Sequence, residues 1–168
     1  NGVWTDLSTS VSASSITGNL NNIDSVSYPD YIVFDTTPET TSASVGTLAW
    51  NSGEGSLTLQ LNANISNIVG QQLDILCYNA EATTLNKGEV VYLFGAQGQR
   101  PSIKRASNNS DATSSKTFGI VAENIASGAE GFIVSQGIVQ NVNTNAYNEG
   151  DILWLGSTAG TFTITLPA

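Results

Sequence analysis

From position 87 to 165 the chain repeats one pattern, in which a short apolar, β-branched run is followed by a glycine-bearing turn and another such run. The pattern is clearest at 117–140, TFGIVAENIASGAEGFIVSQGIVQ. Short runs of this kind bounded by turns predict strands, and no long segment shows the period of an amphipathic helix. The sequence therefore predicts an essentially all-β protein.

The first predicted strands are a β-segment at 31–35 and a hairpin, GTLAWNSGEGSLTLQL, whose two alternating runs are joined by a glycine-rich turn. Leu48 and Trp50 share one face of this hairpin. Further strands are predicted in LDILCYN, EVVYLF, RPSIKRA, FGIVAENI, GFIVSQGIVQ, DILWLG and TFTITL. NANISNIVGQ and SNNSDATSS are predicted to be loops, the second with one helical turn that begins at Ser110 or Asp111.

Several predicted strands are apolar on both faces. In DILWL, Ile152 and Trp154 point one way while Leu153 and Leu155 point the other, and the run GFIVSQGIV has the same character. A two-sided apolar strand in a small antiparallel fold needs a second covering layer. That layer is either the other sheet of a sandwich or barrel, or a neighbouring subunit.

The predicted fold is an antiparallel β-sandwich or small β-barrel, preceded by an extended N-terminal connector and a β-hairpin. We assign the connector to 1–30, the hairpin region to 31–70 and the barrel or sandwich to 71–168. The connector is rich in Ser and Asn, and its apolar residues are too few to offset the cost of ordering without a partner. Glycines within or beside strands predict bulges or close backbone approach, as a tightly curved barrel requires: Gly119, Gly131 and Gly137.

Charge is sparse and unevenly distributed. Only 11% of the 168 residues are charged, against about 25% in an ordinary globular domain, and 14 acids against five bases give a net charge of −9. All five bases lie between positions 87 and 116, and the first 86 residues contain none. Nucleic acid is a poor candidate partner because phosphate binding needs clustered bases on a chain that is not repelled overall. The basic band is either a solvated face or an attachment edge for an acidic neighbour, with Arg100, Lys104 and Arg105 as the candidate docking edge.

The residue inventory contains no recognisable reaction centre. Histidine is absent, which removes Ser-His-Asp and Cys-His nucleophile systems and most zinc sites. Cys77 is the single cysteine, so it forms no internal disulfide and is predicted to be a buried small hydrophobe. The close carboxylate pairs, Asp30 with Asp35 and Glu149 with Asp151, lie at predicted strand ends and are not assigned to glycoside hydrolysis. We expect no enzymatic activity, no catalytic residue and no cofactor.

The loop at 141–151 is a candidate for either a cation site or a local turn. The loop at 141–151 concentrates oxygen ligands that fit either Ca²⁺ or an Asx-rich turn, of which we prefer the turn: Asn143, Asn145, Asn148, Glu149 and Asp151. No apolar run approaches the length of a membrane span, so no membrane partner is predicted, and no signal peptide is evident. Methionine is absent even at position 1, so we expect a processed product or a fragment of a longer protein.

Several segments together resemble a module of tailed-bacteriophage virion fibres. They are VGTLAWNSGEGSLTLQL, ATTLNKGEVVYLFGAQGQRPSIKRAS and ATSSKTFGIVAENIASGAEGFIVSQGIVQNVNTNAYNEGDILWLGSTAG. The resemblance covers roughly 31–166, and KGEVVYLFGAQGQRP, SSKTFGIV and EGDILWLG are its more specific parts. The portion at 87–165 also resembles the small β-barrel of phage capsid decoration proteins.

The resemblance implies a structural component of a bacteriophage virion, part of a homotrimeric tail fibre that attaches to the particle and positions distal host-binding domains. The implied partners are copies of the chain itself and other virion proteins of tail, baseplate or head, and direct receptor contact is left open. The implied location is the virion, with the tail fibre preferred over the head surface.

Two alternatives accompany this interpretation. One is a capsid decoration or head-fibre protein, which would coat the head lattice. The other is a carbohydrate-binding module of a host-recognition spike, with aromatic sugar platforms at Trp4, Trp50, Trp154 and Tyr92. Burial of both Trp50 and Trp154 in the monomer core would remove most of the support for the carbohydrate interpretation.

Overall fold

The computed structural model of the chain describes residues 32–34, 36 and 44–167. The predicted connector at 1–30 lies outside the described residues, as do positions 31 and 35 of the first predicted strand, and 32–34 are not in a strand. The chain divides into two compact units, Asn1–Val33 and Phe34–Ala168, and the architecture below belongs to the second. The division predicted at 30/31 and 70/71 stays a prediction.

The described residues form ten strands and one short helix. They are β1 (Leu48–Asn51), β2 (Ser56–Gln60), β3 (Ser66–Ile68), β4 (Gln72–Asn79), β5 (Val90–Gln97), β6 (Arg100–Arg105), α1 (Asp111–Ser114), β7 (Thr117–Val121), β8 (Glu130–Gly137), β9 (Trp154–Leu155) and β10 (Phe162–Thr163). The all-β prediction is confirmed. The helical turn predicted at Ser110 or Asp111 is α1, with Ser110 at its N-cap. Within the described ranges no helix has the length and apolar character needed to cross a membrane.

The predicted hairpin is the β1–β2 pair, in which Trp50 lies opposite Leu57 and Asn51 opposite Ser56. The side chain of Asn51 closes its turn, because Oδ1 accepts hydrogen bonds from the N–H groups of Gly53 (3.0 Å) and Glu54 (3.3 Å). β3 joins this sheet antiparallel to β2. The prediction that NANISNIVGQ is a loop is therefore wrong at 66–68, where pairing to a neighbour rather than local alternation sets the strand.

The other main element is a closed barrel with strand order β4-β6-β5-β7-β8, completed by pairing of β8 with β4. Every barrel pair is antiparallel except β4–β6, which is parallel with Tyr78 opposite Ser102 and Asn79 opposite Ile103. Closure therefore gives each of the five barrel strands a paired neighbour on both sides. Of the two predicted architectures, sandwich or small barrel, the chain forms the barrel.

The barrel interior is filled by fully buried apolar side chains: Cys77, Leu85, Val91, Ile103, Val121, Ile125 and Ile133. On β4, alternation places Ile75 and Cys77 on the inner face. Leu73 lies near the start of β4 and is 52% exposed; the β4–β8 register shifts beside it, where β8 has the extra residue Ser135. The inward row of β4 is thus covered only from Ile75 onward.

A second apolar cluster covers the outer face of β8. Val134 packs there with Ile65 and Ala122, flanked by Phe132 and Val139, while Ile133 points into the barrel. Ile65 comes from the loop between β2 and β3, so the chain itself supplies the covering layer at this point. The sequence predicted that strands apolar on both faces are covered either by their own chain or by a neighbouring subunit. The outer face of β8 is covered by its own chain.

The three glycines singled out in the sequence lie where the backbone or a side chain approaches closely. A Cβ on Gly119 would stand 2.6 Å from the carbonyl oxygen of Val134, and one on Gly131 would stand 2.6 Å from Cγ1 of Ile125. At Gly137 it would stand 2.2 Å from the carbonyl oxygen of Gln71. The prediction of close approach is confirmed at all three positions.

Cys77 is fully buried, as predicted, and burial raises the pKa of its thiol from 9.0 to about 12. Because the folded pKa lies above the unfolded one, its stabilising contribution is complete below pH 9 and is lost as the pH rises through 12. We expect the free energy of unfolding to fall over this range by up to about 4 kcal/mol more than in Cys77→Ala.

Urea titrations of both proteins at several alkaline pH values measure this difference. The two proteins share every other titratable group, so the divergence between the two curves isolates the thiol. Parallel curves would show that the native state tolerates the thiolate.

Candidate functional site

The three residues of the candidate docking edge all lie on β6, but they have different surroundings. Arg100 begins the strand and forms an exposed ion pair with Glu130, with Nε 3.2 Å from Oε2. Lys104 and Arg105 lie at the other end, and adjacent residues of a strand point to opposite faces. The structure therefore does not bring the three cations onto one surface, and their docking role stays a prediction.

Arg105 is held by contacts within the barrel. Its Nε donates to Glu89 Oε2 at 3.0 Å and its Nη1 donates to Thr83 Oγ1 at 3.0 Å, while Nη2 donates to the carbonyl of Thr84. Its backbone N–H donates to Glu81 Oε1 at 3.0 Å. The guanidinium thus links the end of β6 to the 81–84 loop and to the start of β5. A partner would have to break these bonds to use its charge.

Arg105 is expected to contribute far more to stability than Arg100. The Arg105–Glu89 pair is largely sheltered, with side-chain exposures of 17% and 22%, whereas those of Arg100 and Glu130 are 44% and 47%. We expect Arg105→Ala to lower the free energy of unfolding by about 2 to 3 kcal/mol, and Arg100→Ala by about 0.5 kcal/mol or less. Urea denaturation of the two variants measures the difference, and equal midpoints would contradict the assignment.

A cation and two aromatic rings meet on the outer face of β5 and β6. Lys104 Nζ lies 4.0 Å from the centroid of the Phe94 ring, and Tyr92 meets Phe94 edge-on with centroids 6.4 Å apart. Tyr92 lies opposite Lys104 in the β5–β6 register. Phe94 remains 53% exposed. We call Tyr92, Phe94 and Lys104 the aromatic–cation face.

The β9–β10 ribbon is fixed to one end of the barrel. Gly160 accepts a hydrogen bond from the Val90 N–H (3.0 Å) and donates its own N–H to the carbonyl of Ala106 (2.7 Å). The Asn108 side chain donates from Nδ2 to the carbonyl of Leu155 at 2.8 Å. These bonds to β5 and to the residues after β6 define the position of the ribbon on the barrel.

The two faces of the ribbon differ in their cover. Leu153, Leu155 and Phe162 are partly buried. By contrast, Ile152, two residues before β9, is 69% exposed, and Trp154, the first residue of β9, is 39% exposed. We call Ile152 and Trp154 the ribbon face. Unlike the outer face of β8, the ribbon face is left open to solvent.

The 141–151 loop uses its polar side chains on its own backbone. Asn143 Oδ1 accepts from the N–H of Asn145 at 3.0 Å, and Asp151 Oδ2 accepts from the N–H of Asn148 at 2.8 Å. These are the bonds of Asx-type turns. Within 32–34, 36 and 44–167, no group of three or more His, Cys, Asp or Glu side chains is placed to hold a metal ion.

The proposed sugar platforms are not equivalent. Trp4 lies outside the described residues, Trp50 is partly buried in the hairpin, and Tyr92 is partly buried beside Phe94. Trp154 is the most open of the three described rings. The condition that would count most against carbohydrate binding, burial of both tryptophans, is not met for Trp154, and the carbohydrate interpretation stays a prediction.

Sequence reasoning missed Asn79, a fully buried polar residue at the end of β4. Its Nδ2 lies within hydrogen-bond distance of three carbonyl oxygens, those of Ile125 (2.8 Å), Thr83 (3.0 Å) and Ala126 (3.1 Å), and its Oδ1 accepts from the N–H of Glu81 (2.8 Å). A signal was available, because Asn79 continues the inward row of Ile75 and Cys77. A polar side chain at such a position must find partners inside the fold.

Sequence reasoning also missed Glu123, which ties the 62–64 loop to the barrel. Its Oε1 accepts from Asn62 Nδ2 at 2.8 Å, and its Oε2 accepts from Asn64 Nδ2 at 3.4 Å. The backbone N–H of Phe132 donates to the same carboxylate at 3.3 Å. This carboxylate therefore has a structural role next to the cluster that covers β8.

Comparison of the chain with protein-family models, with curated proteins and with solved structures finds no match. Any function assigned to the chain therefore depends on its own residues and surfaces.

Proposed function

We propose that the chain is a structural component of a bacteriophage virion, part of a homotrimeric tail fibre that attaches to the particle and positions distal host-binding domains. The observation that carries this proposal is the open ribbon face. Ile152, two residues before β9, and Trp154, the first residue of β9, are both exposed, whereas the outer face of β8 is covered by the chain's own residues. Exposed apolar patches on small folded proteins commonly mark interaction surfaces.

The segments that resemble phage fibres support a mechanical role. KGEVVYLFGAQGQRP supplies β5 and the start of β6, SSKTFGIV supplies β7, and EGDILWLG supplies β9. These segments form barrel strands and the ribbon, which set the shape of the module. A module whose recognisable segments are architectural suits connecting, spacing and presenting.

Trimerisation would also extend a small core. A short β-module buries only a limited share of its surface on its own, and cyclic assembly increases that share. Further large apolar side chains that the fold leaves exposed include Phe94, Ile138 and Ile164. Association of three copies would cover part of this surface.

Sedimentation and electron microscopy together test the proposal. Analytical ultracentrifugation of the folded chain is expected to give the mass of a trimer. An antibody raised against the barrel is expected to label tail fibres of the intact particle. A monomer at all accessible concentrations would refute the trimer, and absence of label from the virion would refute the virion assignment.

A capsid decoration or head-fibre protein is the second candidate. The observation that favours it is the closed five-stranded barrel, which supplies much of the region that resembles decoration proteins. The same antibody separates the two candidates, because a decoration protein would label heads in particles that lack tails.

A further inference from the structure

We propose that copies of the chain associate head to tail, with the ribbon face of one copy packed on the aromatic–cation face of the next. This inference rests on the proposed homotrimer and names the two surfaces that build it. The occupant of each face is therefore a second copy of this chain. The two faces complement each other in both apolar character and charge.

The ribbon face is apolar with acidic neighbours. Ile152 lies two residues before β9, Trp154 begins β9, and both are exposed; Glu149 and Asp151, also exposed, lie just before them in the chain. The segment from 117 to 168 contains no lysine or arginine. A partner surface suited to this face must offer apolar area together with positive charge.

The aromatic–cation face offers that combination. Phe94 presents an exposed ring, and Lys104 places its ammonium group over it. Lys116 adds an exposed positive charge nearby, since its carbonyl oxygen accepts the N–H of Leu93 at 3.0 Å. All of the chain's bases lie between 87 and 116, so the positive charge that complements Glu149 and Asp151 comes from this segment.

The ribbon cannot occupy the aromatic–cation face of its own copy. The hydrogen bond between Val90 and Gly160 fixes the ribbon at the start of β5. Phe94 lies four residues further along the same strand, which corresponds to about 13 Å. The contact must therefore form between copies.

Because the two faces differ, the contact is heterologous. A heterologous contact closes into a ring when its rotation permits and does not pair a face with itself. This geometry suits a cyclic trimer and disfavours a two-fold dimer through either face. A nucleic acid or an acidic membrane surface would be repelled by the carboxylates beside the ribbon face.

Two variants of the full chain test the contact. The first, Phe94→Ala with Lys104→Glu, alters the aromatic–cation face, and the second, Ile152→Ser with Trp154→Ser, alters the ribbon face. Each is expected to weaken self-association by at least about thirtyfold in sedimentation equilibrium, as loss of a central aromatic anchor commonly does. Leu73→Ser, at an exposed apolar residue of β4, is the matched control and is expected to associate like the parent chain. Circular dichroism establishes that each variant is folded.

Mixing the two variants distinguishes a heterologous contact from other arrangements. Each variant keeps one intact face, so the mixture is expected to form heterodimers that grow no further. Trimers that persist in both variants would overturn this inference and leave the proposed homotrimer standing. A parent chain that is monomeric would overturn both, and variants that dissociate without forming heterodimers on mixing would overturn the head-to-tail pairing.

A charge swap tests the polar part of the contact in milder variants. Glu149→Lys and Lys104→Glu are each expected to weaken association about tenfold, and their combination in one chain is expected to restore most of it. Losses that add in the combined variant would overturn the charge pairing. If the chain does not self-associate but binds an acidic peptide from another protein, the aromatic–cation face belongs to a different partner and the inference is overturned.

Discussion

Replacing Asn79 with alanine is expected to lower the free energy of unfolding by about 4 kcal/mol. The variant removes a buried amide that meets three carbonyl oxygens and accepts the N–H of Glu81. These groups belong to separate loops, those after β4 and after β7, so the amide joins two loops at one end of the barrel. In the variant these carbonyl and N–H groups stay buried without their hydrogen-bond partner, so the cost of removing them from water is no longer offset. Urea denaturation followed by tryptophan fluorescence measures the loss.

Two further variants separate hydrogen bonding from side-chain volume. Asn143→Ala removes an exposed Asx-turn bond and is expected to cost about 0.5 kcal/mol, because water replaces the lost partner. Asn79→Asp keeps the volume but turns a donor toward carbonyl oxygens into a carboxylate. It is expected to be at least as destabilised as the alanine variant at pH 7 and to recover at acidic pH, where the protonated carboxyl regains a donor. Equal losses for Asn79→Ala and Asn143→Ala would show that the buried hydrogen bonds of Asn79 stabilise the fold no more than the exposed bond of Asn143.

Gly137→Ala is expected to destabilise the fold by about 4 kcal/mol. Gly137 has φ +109°, a conformation that residues with a side chain rarely adopt. An added Cβ would also stand 2.2 Å from the carbonyl oxygen of Gln71 and 2.8 Å from Cα of Gln72, both backbone atoms. Because Gly137 lies opposite Gln72 in the β4–β8 pair, relief of the overlap would separate the strands that close the barrel. Thermal and urea unfolding of the variant measure the effect.

Gly98→Ala is the matched control for Gly137. Gly98 also has a positive φ, +59°, but a Cβ there would meet no atom within 4 Å. Its replacement is expected to cost about 1 kcal/mol, the price of the backbone conformation alone. The difference between the two variants measures the close approach of β8 to the start of β4, and similar losses would contradict the steric argument.

Local patterns predicted the elements that depend on neighbouring residues in the chain. The β1–β2 hairpin and its turn follow from alternation and a glycine-rich turn, and the single helical turn at 111–114 begins at the predicted position, although Ser110 forms no side-chain cap hydrogen bond. The burial of Cys77 and the close approach at Gly119, Gly131 and Gly137 were also predicted from their strand contexts. For the hairpin and the helical turn the physical cause lies within a few residues, whereas for the glycines the strand context marked the position and a distant segment supplies the contact, as Gln71 does at Gly137.

Features set by distant partners were not predicted. The parallel pairing of β4 with β6 joins strands that are separated by the 80–99 segment, and strand alternation carries no information about it. β3 is a strand because it pairs with β2, and the exposure of Leu73 at the start of β4 could not be read from the alternation of that strand. The candidate docking edge was chosen from charge alone. Arg105 lies among Glu81, Glu89 and Thr83 only because the barrel brings these segments together.

The same long-range pairing has a consequence for how the chain folds. β4 needs β6 on one side and β8 on the other, so the barrel cannot close until residues up to 137 are available. Fold formation that depends on distant contacts is slow compared with hairpin formation. Before closure, β4 and β7 each present an unpaired edge, and several copies held close together could exchange β8 between them. Rapid local formation of the β5–β6 hairpin would therefore be followed by a slower step in which each chain must capture its own last barrel strand.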